Sequence, residues 1–485
     1  MHSSIQQFCE EGIPELIRVQ EEFLNDPKKM YEFIKGGVRP FIDAALAYYG
    51  ETFTGIDDTI RESLWRKEEW YIVRRDDASL LCSIGRIHYS KTLFINRTTG
   101  ERRYLVDDAL GLGSHARMTE DAVVEILREA SESSYRKGGE KASLMEPVSK
   151  QTVLNELHGL TFPKEQKRRG RKSVAQYLYI DADEDHVALQ YDSEHGDLKK
   201  SGPKSAMPRL IYIYEGVEEY NGSTRHHLVN VHHFGGLYDG NNDALWKEVD
   251  TYIRNNYDED ALKKVYIHGD GANWIRNGKI YIPKSVFVLD RFHMHKYIIA
   301  ATSHLLDSAD DVRSELYRAI HKRNKGMAAD TFEKILAVTD NETKYKAVQR
   351  SKDFILNNWA GIMESLKNKE NQTGCSAEGH VSHIYSDRLS SRPLGWSRTG
   401  VDKMARLRIY RNNSGTLIDL VRFQKRQGIL PQAVGEEKKI LLSHQVIRSE
   451  RSKWGDIGKY YDSMQCSFIS PESRKGAAII YHKCF

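Results

Sequence analysis

Apolar residues recur at helical spacing along the first part of the chain, up to about residue 65. Phe33, Ile34, Phe41, Ile42 and Leu46 illustrate the pattern. Because about 3.6 residues make one turn of a helix, positions with this spacing share one side of it. The pattern predicts an N-terminal helical domain over residues 1–68, whose simplest role is packing.

The pattern then changes to short runs rich in β-branched and aromatic residues. These runs cover residues 70–73, 80–87, 92–95 and 104–106. The last two flank residues 96–100, a loop that ends in Gly100, whose freedom to adopt a positive φ suits a hairpin. We therefore predict a small antiparallel β-hairpin module over residues 69–112.

Two short amphipathic helices are predicted next. Thr119 opens the first, and Ser149 can cap the second, in which Lys150 and Gln151 face outward. A glycine-bearing break at residues 137–139 separates the two helices. The arrangement fits a helix-turn-helix that reads DNA, and it equally fits a generic helical hairpin. We assign residues 113–173 to a helix-turn-helix-like domain with a basic linker.

A run of cations follows the second helix. Six positive side chains stand there against the single Glu165: Lys164, Lys167, Arg168, Arg169, Arg171 and Lys172. Like charges at this density repel one another unless water or an anion surrounds them. Next to a DNA-reading unit the phosphate backbone is the natural partner, and a solvated linker is the alternative.

Strands and helices alternate from residue 174 to residue 300. Predicted strands cover residues 177–180, 187–190, 210–214, 229–233, 265–268, 280–282 and 286–289, and a helix covers 242–255. A charged helical block extends from residue 296 to about 368. The pattern predicts an α/β core whose first part covers residues 174–300 and whose last part covers 373–413. An all-α insertion at 301–372 separates the two parts, and a C-terminal region follows at 414–485.

Composition changes this picture little. The 485 residues are enough for about three domains. With 72 basic and 68 acidic side chains the net charge is only +4, so any nucleic-acid binding must come from local clusters. Five scattered cysteines without a CxxC pair argue against a disulfide framework and a cysteine-built zinc module. Without a membrane-spanning apolar run or a signal-peptide core, we expect a cytoplasmic, nucleoid-associated protein.

Carboxylates crowd together where the first strand of the predicted core ends. Residues 177–180 form an apolar strand pattern that leads directly into Asp181, Asp183 and Asp185. Like charges this close raise one another's pKa unless a cation or water relieves the repulsion. Because a strand alternates its faces, these three aspartates share one side of the strand if it continues that far.

Two further carboxylates lie in suggestive surroundings. Asp270 follows the run 265–268 and stands between two glycines, which permit a tight backbone with an exposed carboxylate; a simple Asp-Gly turn is the alternative. Glu378 precedes a strongly basic stretch, where it is either an ion-pair partner or a metal ligand. The cations of that stretch are Arg388, Arg392, Arg398, Lys403, Arg406, Arg408 and Arg411.

Three carboxylates far apart in sequence describe a two-metal site if they converge in space. Asp270, Glu378 and one of the strand-end aspartates would then hold two Mg²⁺ ions roughly 3.5–4 Å apart. One ion activates the attacking oxygen and the other stabilises the leaving oxygen. Such sites are typical of nucleases and polynucleotidyl transferases.

Four ordered motifs make the chain similar to a known family. They are Tyr-Leu-Tyr-Ile-Asp-Ala-Asp-Glu-Asp-His-Val at 177–187, His-Gly-Asp-Gly-Ala-Asn-Trp-Ile at 268–275, Val-Leu-Asp-Arg-Phe-His at 288–293 and Ala-Glu-Gly-His-Val-Ser-His at 377–383. In this order they resemble the ISLre family of bacterial insertion-sequence transposases, which looks related to Mutator-like proteins with a DDE catalytic core. The resemblance extends from about residue 90 to about residue 411.

The resemblance implies a fold and a set of site residues. The fold would be α/β, with an RNase H-like mixed-sheet catalytic core that an all-α insertion interrupts. Catalysis and the binding of two Mg²⁺ or Mn²⁺ ions would fall to Asp183, Asp270 and Glu378, with Asp181 as the alternative to Asp183. A supporting element of Mutator-like cores is matched by two residues, Asp290 and His293.

The resemblance also implies a reaction and its partners. The protein would cleave double-stranded DNA at terminal inverted repeats and transfer the freed strand to target DNA, as a homodimer or a larger assembly on DNA. Phosphate and base contacts would come from Lys150, Gln151, Lys167, Arg168, Arg169, Arg171, Lys172, Arg388, Arg392 and Arg398. A non-catalytic DNA-binding regulator is the main alternative. A simple metal-dependent nuclease is a third, in which the helical insertion would have no role.

Overall fold

The computed structural model describes residues 2–113, 115–164, 171–190, 205–219, 226–238, 240, 242–367, 374–392, 394–428 and 447–448. Contacts divide this part of the chain into two compact units. The first unit contains residues up to 130, residues 134–156 and the segment from Leu417 onward. The second contains residues 131–133 and 157–416.

The first unit begins with helices, as predicted for residues 1–68. They are α1 (Ser3–Gln7), α2 (Ile13–Asn25), α3 (Met30–Glu62) and α4 (Leu64–Glu69). The antiparallel strands β1 (Trp70–Cys82), β2 (Gly85–Asn96) and β3 (Arg102–Tyr104) follow and confirm the β prediction. Helix α3 packs on β2, where the buried Asp57 accepts hydrogen bonds from the backbone N–H and the hydroxyl of Thr92 at 2.9 and 2.6 Å.

The boundaries in this β module differ from the predicted runs at two places. The run 80–87 is divided by a two-residue turn, because Cys82 pairs with Gly85 and the chain reverses between them. Val106 belongs to a short helix, α5 (Leu105–Ala109), where it is fully buried. The loop 96–100 is the predicted hairpin connection, and Gly100 adopts φ +71° in it.

Three helices follow where two were predicted: α6 (Glu120–Glu132), α7 (Tyr135–Glu140) and α8 (Lys150–Gly159). Ser149 caps α8 as expected, because its hydroxyl accepts a hydrogen bond from the Thr152 N–H at 3.1 Å. The predicted break at residues 137–139 is wrong, since these residues lie in α7. A side chain at Gly138 would meet the Ala130 methyl group, so this glycine permits close helix packing.

A five-stranded mixed sheet forms the centre of the second unit. Its strands are β4 (Tyr177–Glu184), β7 (Arg209–Tyr214), β10 (His232–Gly236), β11 (Lys264–Gly269) and β12 (Ser285–Leu289), in the order β10-β7-β4-β11-β12. β4, β7 and β10 are antiparallel neighbours, whereas β11 and β12 run parallel to β4. Two small ladders pair β5 (Val187–Ala188) with β6 (Ser205–Ala206) and β8 (Gly216–Glu219) with β9 (His226–Val229).

The two faces of this sheet differ in character. Leu178, Ile180 and Ala182 of β4 alternate with polar and aromatic residues and form a core with residues of the neighbouring strands and Trp246. Each fully buried aliphatic side chain there contributes roughly 1.5–3 kcal/mol. Tyr179 stacks on rings from both neighbouring strands. Alternation along β4 therefore places its aspartates on the aromatic face, opposite the aliphatic core.

Helices connect and cover the strands. They are α9 (Asn242–Asn256), α10 (Asn273–Arg276), α11 (Gly278–Tyr281), α12 (Arg291–Thr302), α13 (Ala309–His321), α14 (Lys325–Ala337), α15 (Glu342–Asn357), α16 (Trp359–Ser365), α17 (Ala377–Val381), α18 (Asp387–Leu389) and α19 (Arg398–Asn412). The helices α12 to α16 surround a core of their own, which confirms the predicted helical block. That block stands in the sequence between β12 and the helix that carries Glu378.

Two predicted strands of this unit are corrected. Residues 280–282 fall mostly in α11, whose Gly278 lies against the Trp246 ring with no room for a side chain. The run 229–233 is divided because Asn230 adopts φ +52°, a conformation that asparagine tolerates better than most residues.

The last described helix, α20 (Leu417–Gly428), belongs to the first unit, where Arg422 and Lys425 pair with Glu120 at 3.2 and 3.0 Å. Among the described helices, none combines the length and the apolar composition that crossing a bilayer requires.

Candidate active site

Asp183 and Asp270 meet at one end of the central strands. β4 and β11 are parallel neighbours, with His268 of β11 aligned with Asp181 of β4. Asp183 lies two residues further along β4, and Asp270 follows β11 directly. Both residues therefore lie at the C-terminal ends of these two central strands. Burial raises the pKa of Asp183 to about 7, and the carboxylates of Asp270 and Glu184 contribute to the rise.

Each of these two carboxylates has one oxygen tied to the backbone. The Glu184 N–H donates to Asp183 Oδ1 at 2.8 Å, and the Ala272 N–H donates to Asp270 Oδ1 at 2.9 Å. Within the described residues no donor is bonded to either Oδ2. Repelling carboxylates with spare oxygens suit a hard divalent cation such as Mg²⁺. The described part of the chain contains no group of three His, Cys, Asp or Glu side chains already placed to hold a metal ion.

Asp290 and His293 lie beside this pair. The Asp290 N–H donates to the carbonyl oxygen of Gly269 at 2.9 Å, which ties the end of β12 to the end of β11 next to Asp270. Asp290 caps α12 through the Phe292 N–H at 3.1 Å and accepts a hydrogen bond from His293 Nδ1 at 2.9 Å. That hydrogen bond raises the pKa of His293, and the charges of Asp290, Asp270 and Asp183 add to the effect. His293 is therefore held among carboxylates that favour its protonated form.

Asp181, the alternative first aspartate, is fully buried on the same face of β4. Burial acts to raise its pKa, but the hydrogen bond and charge of His268 and the donors of Ser376 and Tyr212 outweigh that effect, and the pKa is lowered. A buried carboxylate stays ionised only when donors compensate it in this way. The two aspartates on one face of β4 therefore have different surroundings, which the sequence did not resolve.

Glu378 lies in the first turn of α17, and its side chain is exposed. α17 packs against β4, and its His380 ring stacks on the ring of Tyr212 with 4.1 Å between centroids. Burial raises the pKa of the neighbouring Cys375 thiol, and the charges of nearby aspartates, including Asp183, add to the rise. The structure thus brings the helix of Glu378 beside the aspartates, while its carboxylate does not form a three-residue group with them.

The predicted DNA contacts are mostly on the surface where they are described. Lys150 and Gln151 are exposed on α8, and Arg171, Lys172 and Arg392 are exposed in loops. Arg398 is half-buried at the start of α19. The remaining predicted contacts of the basic run lie outside the described residues; they are Lys167, Arg168 and Arg169.

The prediction for Arg388 needs correction. Arg388 is only 6% exposed and packs over the Trp396 ring at 4.6 Å, so it is not placed to meet a phosphate. Other cations of the same basic stretch also serve the fold. Arg406 pairs with Asp402, Arg411 pairs with Glu132, and the Arg408 guanidinium donates to backbone carbonyls. These three arginines of the basic stretch therefore bind other groups of the protein itself.

Sequence reasoning missed the residues that bond to Asp181, which include Tyr214 at 3.2 Å. His268, Tyr212 and Ser376 all bond to Asp181, although they lie 87, 31 and 195 residues away from it. A signal existed for His268, because it ends the predicted strand before Asp270 and would align with Asp181 in a parallel pair. Nothing in the sequence marked Tyr212 or Ser376.

The chain is similar to proteins of known sequence over most of its length. Residues 42–427 match the profile described as "Uncharacterised protein family (UPF0236)". Two UPF0236 proteins of Caldanaerobacter subterraneus subsp. tengcongensis are 41% and 39% identical over 362 residues, which is 75% of this chain and 73% of each relative. A third from the same organism is 39% identical and is covered to 70%.

Among solved structures, the "Drosophila P element transposase strand transfer complex" aligns with 75% of this chain and 91% of that chain, at 11% identity. The TM-score of 0.22 is too low to establish a shared fold.

Proposed function

The chain belongs to the uncharacterised protein family UPF0236, and we propose that it is a DDE-type transposase of the ISLre group. In this proposal the protein cleaves DNA at the terminal inverted repeats of an insertion sequence and joins the freed 3′ ends to target DNA. The reaction needs no covalent protein intermediate, so no serine or tyrosine nucleophile is assigned.

The observation that carries the proposal is that Asp183 and Asp270 lie together at the C-terminal ends of the central strands β4 and β11. Asp183 has a pKa of about 7 there, raised by burial and by the charge of Asp270. Mg²⁺ or Mn²⁺ ions, if bound at such a site, would supply charge that lowers the pKa of an attacking water and neutralises the leaving oxygen. Asp183 and Asp270 would hold the ions through their Oδ2 atoms, and Glu378 would complete the ligand set.

The architecture of the second unit supports the same proposal. Asp183 lies on β4, Asp270 directly follows the adjacent parallel strand β11, and a helical block separates the last strand from the Glu378 helix. This is the arrangement implied by an RNase H-like core with an all-α insertion. Asp290 and His293 would act as supporting residues, because the Asp290 N–H fixes the end of β12 beside Asp270 and the Asp290 carboxylate holds the His293 ring beside both carboxylates.

The relatives supply an independent argument. The name of the 41% identical relative joins eleven loci of one organism, and the name of another joins four. A gene repeated at many places in one genome is what an element that moves its own coding sequence leaves behind. A single-copy regulator or housekeeping nuclease does not account for such repetition.

DNA contacts in this proposal come from the exposed cations. Lys150 and Gln151 on α8 would read the terminal repeats in the major groove, and Arg171, Lys172 and Arg392 would hold phosphates. Bringing two ends of an element together requires at least two copies of the protein on DNA.

The test is strand cleavage and joining by the purified full-length protein. The substrate is a duplex that carries the inverted repeat found beside the gene, with Mg²⁺ or Mn²⁺ added. We expect Asp270→Asn to reduce both activities by at least 10³-fold, because electrostatic stabilisation of the transition state would be lost. The matched control is Asp260→Asn, an exposed aspartate on the loop before β11, which should retain full activity.

Two results would contradict the proposal. If Asp270→Asn still cleaves and joins DNA, Asp270 is not a catalytic residue. A wild-type protein that binds the repeats tightly but never cleaves them with either metal would favour the regulator instead.

A further inference from the structure

Asp181 has no role in the proposed chemistry, yet both of its carboxylate oxygens accept hydrogen bonds from the protein. His268 Nδ1 and the Tyr214 hydroxyl donate to its Oδ1 at 2.7 and 3.2 Å. The Tyr212 hydroxyl and the Ser376 N–H donate to its Oδ2 at 2.7 and 2.9 Å, and the Ser376 hydroxyl lies 3.3 Å from the same atom.

These five contacts leave Asp181 without acceptor capacity for a metal ion. A carboxylate offers about four lone-pair sites, and donors from four residues occupy them. Asp183 differs in this respect, because within the described part of the chain only the Glu184 N–H is bonded to it. The geometry therefore separates the two aspartates by role, with Asp183 available to a cation and Asp181 committed to the protein.

The contacts of Asp181 converge on the segment that carries Glu378. Ser376 lies two residues before Glu378, and both its backbone and its side chain reach Asp181. Tyr212 contributes twice, since its hydroxyl lies 2.6 Å from the Ser376 hydroxyl and its ring stacks under His380, two residues after Glu378. His380 also shares a hydrogen bond of 3.3 Å with the buried His233.

We propose that Asp181, Tyr212 and Ser376 form a latch that fixes α17 on the sheet and so sets the position of Glu378 relative to Asp183 and Asp270. The significance of the latch for catalysis rests on the function proposed above. Asp181 and Tyr212 are then positioning residues, since they act through α17 and touch neither DNA nor metal. A buried carboxylate on β4 is suited to this work because the charge-assisted hydrogen bonds it accepts are short and directional.

Hydrogen exchange measures the latch directly and does not depend on any activity. The Ser376 N–H is protected by Asp181 itself, so Asp181→Asn should accelerate exchange of the amides at residues 376–381 by at least tenfold. The matched control is Asp57→Asn, which removes another buried carboxylate, in the first unit, and should leave these amides at the wild-type rate. Tyr212→Phe removes one hydroxyl from the latch and should accelerate exchange of the same amides. If Asp181→Asn does not fold, Tyr212→Phe tests the latch in its place.

Cleavage assays separate positioning from direct catalysis. Asp181→Asn should need several-fold more Mn²⁺ for half-maximal cleavage and should recover measurable cleavage at saturating Mn²⁺, because the Glu378 ligand would be displaced but present. Asp183→Asn should not recover at any Mn²⁺ concentration. A structural defect alone would lower the amount of active protein without moving the Mn²⁺ requirement.

Wild-type exchange at residues 376–381 in folded Asp181→Asn and Tyr212→Phe would overturn the latch. Loss of cleavage at every Mn²⁺ concentration, with unchanged exchange, would overturn it too and would make Asp181 a metal ligand. If the wild-type protein cleaves no DNA, the transposase proposal fails, and the exchange rates still decide whether the latch exists.

Discussion

At the scale of single residues, Asp181 and Asp183 show how strongly surroundings change the properties of a side chain. They are two positions apart on one face of β4, yet the pKa of Asp181 is lowered and that of Asp183 is raised to about 7. The sequence was sufficient to nominate both residues. It did not separate them, because the donors that saturate Asp181 come from strands and a helix distant in sequence.

The raised pKa of Asp183 predicts how stability depends on pH. Its folded-state pKa, near 7, lies above the unfolded value of about 3.9, so its favourable contribution is complete at low pH and is lost as pH rises through 7. In the absence of divalent metal, Asp183→Asn should therefore be more stable than wild type at pH 8, on the order of 4 kcal/mol, and should not be at pH 4. Urea unfolding at both pH values, with EDTA, measures the difference.

Asp260→Asn serves as the control in this series, since that aspartate is exposed on a loop. Stability curves for wild type and Asp183→Asn that stay parallel from pH 4 to pH 8 would show that the Asp183 carboxyl has an ordinary pKa.

At the scale of elements, hydrophobic periodicity predicted most helices and strands. It failed where tertiary packing decides the outcome. Residues 137–139 look like a glycine break but lie in α7, because Gly138 lets that helix approach Ala130 closely. Residues 280–282 have a strand-like composition but fall mostly in α11, which packs on Trp246. In both cases the deciding contact is one that local sequence does not contain.

The cap of α12 gives a second prediction. Asp290→Ala removes the acceptor for the Phe292 N–H and should lower the free energy of unfolding by about 1 kcal/mol. It should also reduce DNA cleavage, because Asp290 holds His293 beside the candidate metal ligands. Asn341→Ala, which removes the cap of α15, should lower stability by a similar amount without changing cleavage. Equal cleavage by the two variants would limit Asp290 to a capping role.

The exposed face of α8 gives a third prediction. Lys150→Ala should weaken binding to all DNA sequences and reduce the slope of log affinity against log salt by about 1, as expected for one lost phosphate contact. Gln151→Ala should lose about 1–3 kcal/mol of discrimination between the terminal repeat and unrelated DNA. Fluorescence anisotropy at several salt concentrations measures both effects. The control is Lys28→Ala, on an exposed loop of the first unit. If Lys150→Ala and Gln151→Ala bind DNA as Lys28→Ala does, α8 does not contact DNA.

At the scale of the whole molecule, the sequence predicted a mixed α/β core with a helical insertion but not the division into units. The first unit takes residues 134–156 and α20, whereas residues 131–133 group with the second. Such an arrangement depends on contacts between distant segments, such as the pairing of Arg422 and Lys425 with Glu120. Domain boundaries that are predicted as continuous ranges of the sequence do not take such contacts between distant segments into account.

The central claim is that Asp183, Asp270 and Glu378 together hold two divalent ions. Anomalous diffraction from crystals of the full chain grown with Mn²⁺ and a terminal-repeat duplex tests it most directly. We predict two peaks roughly 3.5–4 Å apart, in contact with Asp183 and Asp270 and completed by Glu378. Crystals that contain Mn²⁺ elsewhere but show no peak between these carboxylates would contradict the claim.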